Sequence, residues 1–169
     1  LYLYYIRKNG SGTNKVEVHV LNGNDNYNSF LLRTTTCLDD VGNEFDFLLG
    51  ETCGNGFQNL YCVKKRKTGK NKTEVHILSA DSEYKHFLSQ RSTCLHEVGD
   101  EADFALGDFF QNGKLDLFCF LKKGTGSHKT EVHILNGDDN FTSFLKQLPT
   151  AMPETNNNYK FVVGNYNIA

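Results

Sequence analysis

In TEVHILS (residues 73–79) polar and apolar side chains alternate. Thr73, Val75 and Ile77 point one way, and Glu74, His76 and Leu78 the other, which is the period of two of a β-strand. The pattern returns as VEVHVL at 16–21 and TEVHIL at 130–135. Around the middle copy the apolar runs predict four strands, Phe45 to Glu51, Leu60 to Lys65, Thr73 to Ser79 and His86 to Thr93. Loops of Gly, Asn, Lys and Asp separate them. The expected fold class is all-β.

The spacing of these runs is constant. His19, His76 and His133 lie 57 residues apart (76 − 19 and 133 − 76), and the same offset aligns Phe30 with Phe87 and Phe144, and Gly50 with Gly107 and Gly164. Three such units account for the 169 residues, so the chain reads as a single domain of three four-stranded repeats. Their approximate bounds are 1–44 plus 159–169, 45–101 and 102–158. Leu3 to Ile6 matches the second strand of the middle unit, whereas Phe161 to Gly164 matches its first. A C-terminal strand completing a sheet begun at the N-terminus is the circular closure by which β-propellers hide a final edge. Three blades subtend too wide a wedge to close a ring, so another chain is expected to complete it. Two copies would supply six blades; a different partner chain is equally permitted. A β-trefoil, which also has three units, is the alternative, although its units are usually shorter.

ALGDFFQNGKLDLFCFLKK (105–123) resembles the FG-GAP/VCBS type of propeller repeat, in which a strand ends in Gly-Asp, an Asn/Asp/Gly loop follows, and Asp-Leu opens the next strand. LLGETCGNGFQNLYCVKK is a weaker copy, and VVGNYNIA continuing into LYLYYIRK is similar to an interrupted third. The resemblance implies extracellular recognition of the kind seen in bladed lectins and integrin-type heads. It also implies a Ca²⁺-binding loop, for which Asp108, Asn112 and Asp116 are the candidate ligands. Phe110 stands where another oxygen is expected, and the other loops offer Glu51, Cys53, Asn55 and Asn59, or Asn165 and Asn167. Calcium takes about six to eight oxygens, so a hydrogen-bonded turn is the plainer expectation and no other cofactor is implied.

Composition adds exclusions. A net charge of −2 with scattered Lys and Arg gives no stripe able to hold a phosphate backbone, so nucleic acid is not an expected partner. No apolar run reaches the ~20 residues of a membrane span. A first residue other than Met, and the sequons at Asn9, Asn71 and Asn140, point to a secreted, glycosylated protein. Of five cysteines, Cys37 and Cys94 are repeat equivalents, as are Cys62 and Cys119, and all four read as small core residues. Cys53 stands alone in a loop, free or available to another chain.

The Glu17–His19, Glu74–His76 and Glu131–His133 pairs carry the ingredients of acid–base chemistry. No distinct nucleophile accompanies them, and active sites rarely come in triplicate, so a structural contact is expected rather than an enzyme. Repetition suits multivalent binding, where several sites on one frame gain avidity. Carboxylates and amides suited to sugar hydroxyls recur in the loops that leave each unit's outer strand. They are Asp39, Asp40, Asn43 and Glu44 in the first, His96, Glu97, Asp100 and Glu101 in the second, and Glu154, Asn157 and Asn158 in the third. Tyr27, Tyr84 and Phe141 are the candidate aromatic platforms. The expected function is therefore a secreted, non-catalytic, multivalent lectin, with glycans or glycoproteins as partners. The alternative is an integrin-like protein-binding propeller for adhesion or assembly.

Overall fold

The computed structural model describes residues 1–51, 54 and 56–165. Cys53, Asn55 and Asn167 lie outside them. Among the described residues the chain forms three antiparallel sheets in sequence order. Sheet 1 holds β1 (Leu3–Arg7), β2 (Lys15–Leu21) and β3 (Phe30–Asp39). Sheet 2 is the meander β4 (Phe45–Gly50), β5 (Asn59–Lys64), β6 (Lys72–Leu78) and β7 (Phe87–His96), and sheet 3 repeats it as β8 (Ala102–Gly107), β9 (Asp116–Leu121), β10 (Lys129–Leu135) and β11 (Phe144–Pro153). Among the described residues no helix is long and apolar enough to cross a membrane.

Alternation along the strands decides how the sheets meet. Val16, Val18 and Val20 of β2 pack on Phe45, Leu60, Cys62, Leu78 and Tyr84, joining sheet 1 to sheet 2. The opposite face of sheet 2 offers Tyr61, Val63 and Val75 to Phe104, Leu117, Cys119, Leu135 and Phe141 of sheet 3. Each sheet therefore turns its Val/Ile side to the next and its Glu/His side to the one before. Backbone bonds join the layers at equivalent places, Cys37 N–H to the Tyr84 carbonyl (3.1 Å) and Cys94 N–H to the Phe141 carbonyl (3.0 Å).

The C-terminal segment departs from the sequence reading. Residues 161–165 form no strand and pair with no edge; Phe161 instead stacks on Phe120, centroids 5.2 Å apart, on the outer face of sheet 3. Sheet 1 accordingly keeps three strands, because a lone segment without a facing β-edge gains side-chain burial but no ladder of hydrogen bonds. The third and outer strands are placed as the alternation predicts, and β7 runs three residues further than expected, to His96.

The four described cysteines are free thiols. Burial pushes the Cys62 and Cys119 thiols far above the ordinary value and Cys94 up to about 11. At neutral pH these are packed, unreactive groups.

Candidate functional site

The strongest concentration of polar chemistry lies at the end of the stack where β4 and β8 begin. Three elements of the repeat converge there. Asp46 and Asp103 open the inner strands, Lys65 and Lys122 follow the second strands, and Asp100 and residues 157–160 lie in the loops after the outer strands. Together they line an open, shallow cavity of ≈320 Å³.

Its walls are organised by ion pairs. The Lys65 ammonium, nearly buried, lies 3.3 Å from both Asp46 and Asp100, and Arg66 holds Asp100 through two contacts of 2.8 and 3.2 Å. Lys122 lies 3.4 Å from Asp103, and Lys160 lies 3.0 Å from the same oxygen. The second Asp103 oxygen accepts the Phe161 N–H at 3.1 Å. The Arg66 hydrogen bond, against the opposing effect of burial and with help from Lys65, keeps the Asp100 carboxyl below its ordinary value. On the open side, the side-chain amides of Asn157 and Asn158 make no hydrogen bond among the described residues, and half-exposed Tyr159 adds a ring.

Asp103 gives this cluster a pH signature. Burial alone would raise its carboxyl; the Lys160 and Phe161 hydrogen bonds and the Lys160 and Lys122 charges outweigh it, leaving the group below its ordinary value. A carboxyl depressed in the folded state contributes stability above its unfolded value of about 4, lost as pH falls through the folded value. Asp103→Asn should therefore flatten the fall in stability as pH drops below about 4. Thermal melts across that range measure it, and an unchanged acid slope would count against the assignment.

The structure distributes the other predicted residues differently. Asp100 and Asn157 share the cavity although they come from different repeats; Asp40 and Asn43 do not line it and are exposed on the first unit. Glu97 and Glu154 are committed elsewhere. Glu97 accepts the Thr68 N–H (2.6 Å) and hydroxyl (2.8 Å), and Glu154 accepts the Thr125 N–H (2.9 Å) and hydroxyl (3.3 Å), so each pins the hairpin loop ahead of it. His96 lies 3.2 Å from the Lys72 ammonium. Tyr84 and Phe141 are only 3% and 4% exposed, packed between sheets, and present no ring face to a ligand; Tyr27 is 45% exposed.

The Asp108 loop is closed by its own backbone. Asp108 accepts the N–H groups of Asn112 (2.9 Å) and Gly113 (2.7 Å), Asp116 those of Phe109 (3.0 Å) and Gly137 (2.9 Å), and the Asn112 amide donates to Asp138 at 3.1 Å. A cation would have to displace these donors. No cluster of three or more His, Cys, Asp or Glu placed for a metal occurs among the described residues.

Each histidine of the three Glu–His pairs lies 3.0–3.3 Å from its glutamate. Phe30, Phe87 and Phe144 meet the rings edge-on. The Ser127 hydroxyl and then His133 hold Glu131 below its ordinary value. Asn9, Asn71 and Asn140 are exposed, and the Asn9 amide donates to the Val41 carbonyl at 2.9 Å.

No family model, characterised protein or solved structure matches this chain. Sequence reasoning missed Lys65, Asp46, Asp103, Lys122, Tyr159 and Lys160. The signal was present, since Lys8, Lys65 and Lys122 share one repeat position and Asp46 and Asp103 another.

Proposed function

We propose that the three sheets are propeller blades of FG-GAP type and that the protein is a secreted, non-catalytic carbohydrate-binding protein. The observation that carries the reading is the ≈320 Å³ cavity, in which the Asp100 carboxylate, the uncommitted amides of Asn157 and Asn158 and the ring of Tyr159 converge. Carboxylates and amides together donate to and accept from adjacent sugar hydroxyls, and an aromatic ring covers the apolar face of a pyranose. The volume is at the small end of ligand pockets, suited to one or two sugar rings. The Lys65 and Arg66 pairs hold Asp100 in place before a ligand arrives, which lowers the ordering cost of binding. Multivalency then comes from further copies of the unit rather than from three equal sites in one chain.

A glycan array tests this with Asn157→Ala/Asn158→Ala as the control. The expected result is binding of one sugar class, inhibited by the free monosaccharide and weakened at least tenfold in the variant. A second reading, protein binding in the integrin manner, is favoured by an apolar groove of ≈860 Å³ lined by Tyr2, Tyr4, Leu31 and Phe57. A silent array with sugar-indifferent capture of one protein would select it.

A further inference from the structure

The repeat allows each residue to be compared with its own counterparts, and sheet 1 fails that comparison on one face. Leu60 and Leu117 are fully buried, whereas their equivalent Leu3 is 53% exposed; Cys62 and Cys119 are fully buried, whereas Tyr5 is 53% exposed. Tyr27 adds a conformational argument. It holds φ 64, as Tyr84 holds 63 and Phe141 holds 67, a left-handed backbone that costs energy for a bulky residue. In Tyr84 and Phe141 the burial of the ring offsets that cost; Tyr27 carries the strain with its ring 45% exposed.

The opposite end of the stack has the complementary defect. Residues 159–165 lie on sheet 3 much as β4 lies on sheet 1. The Lys122 ammonium donates to the Tyr159 carbonyl (3.4 Å) as Lys8 donates to the Phe45 carbonyl (2.8 Å), and Tyr159 and Phe45 are two repeats apart. Val162, next to the stacked Phe161, is 80% exposed. The segment thus occupies the place of a fourth sheet's inner strand, and β1 is a strand edge that lacks one.

We propose that residues 159–164 of one chain pair with β1 of a second copy, completing its sheet 1 and seating the Leu3, Tyr5 and Tyr27 face on the outer face of sheet 3. The argument is continuity with the two sheet–sheet interfaces already inside the chain, and it rests on the propeller reading above but not on sugar binding. The β4–β5 register pairs Phe47 with Cys62 and Leu49 with Leu60. Carried over by the repeat, it pairs Phe161 with Tyr5 and Val163 with Leu3, and the Cys37 to Tyr84 backbone bond becomes Ala151 to Tyr27 between chains. The contact is head-to-tail, so it must either close or polymerise. Two copies of this chain joined head to tail supply six blades, within the about four to eight that propellers commonly hold.

Light scattering over 1–100 µM, with oxidative cross-linking, decides the matter. The expected mass is twice 19.1 kDa. The Tyr5→Cys/Phe161→Cys variant should give a covalent dimer on a non-reducing gel, beyond any band from the single variants. Tyr5→Glu/Tyr27→Lys should give a monomer with unchanged circular dichroism. A mass of one chain at 100 µM, a dimer that survives Tyr5→Glu/Tyr27→Lys, or a dimer without the cross-link would each overturn the proposal. None of these outcomes bears on the glycan array, so the two proposals fail separately.

Discussion

Lys122→Met is expected to lower the unfolding free energy by about 3 kcal/mol, because removing one partner of a buried ion pair leaves the other uncompensated. The Lys122 side chain is 3% exposed and its Asp103 partner 8%. Methionine preserves the length and packing of the lysine stem, so the loss reports the charge rather than a cavity. The expectation is at the low end of the ~3–5 kcal/mol seen when such pairs are broken, since Lys160 still reaches the Asp103 carboxylate at 3.0 Å. In a chain of this length 3 kcal/mol corresponds to a fall of roughly 6–12 °C in melting temperature. Urea titration measures it. A change below 1 kcal/mol would mean that Lys122 is solvated and that the cavity wall is not the rigid frame described here.

The second large effect uses the repeat as its own control. Leu117→Ala should cost about 2–5 kcal/mol, the transfer term of a lost isobutyl group plus the cavity it leaves between sheets 2 and 3. Leu60→Ala should fall in the same range, since Leu60 is equally buried between sheets 1 and 2. Leu3→Ala, at the same repeat position but half exposed, should cost less than about 1 kcal/mol at low protein concentration. Equal losses at all three positions would contradict the stacking order of the sheets.

Much of the fold was legible because two periods coincide. Alternation within TEVHIL gives the strand and its faces, and the 57-residue offset turns one strand into a triplicated unit. What the sequence did not disclose is where burial stops. Leu3, Leu60 and Leu117 are identical in type, and only the sheet order shows that one lacks a neighbour. The same holds for Tyr27 against Tyr84. At the site, Asp100 and Asn157 were recognisable as loop residues of the right chemistry, but their meeting in one cavity depends on how two repeats pack. Glu97 and Glu154 look equally suited, yet each is turned to the hairpin loop ahead of it and does not line the cavity. The lysines were hidden for a local reason. In Lys64–Lys65 and Lys122–Lys123 one residue of each pair turns inward, and a pair of lysines ordinarily reads as a solvated strand end.

The C-terminal segment shows where pattern and context part. Phe161 to Gly164 carries the residues of an inner strand, and among the described residues no sheet edge pairs with it. Side-chain packing survives in the stacking of Phe161 on Phe120, and the ladder does not form.

Occupation of the cavity between Asp100 and Tyr159 by a sugar is read out most directly by backbone amide NMR. The protein would be titrated with the monosaccharide selected by the glycan array. Saturable shifts are expected at Asp100, Asn157, Asn158 and Tyr159, lost in Asn157→Ala/Asn158→Ala. Shifts centred instead on Tyr2, Tyr4 and Leu31, or no saturable shifts at millimolar sugar, would rule it out.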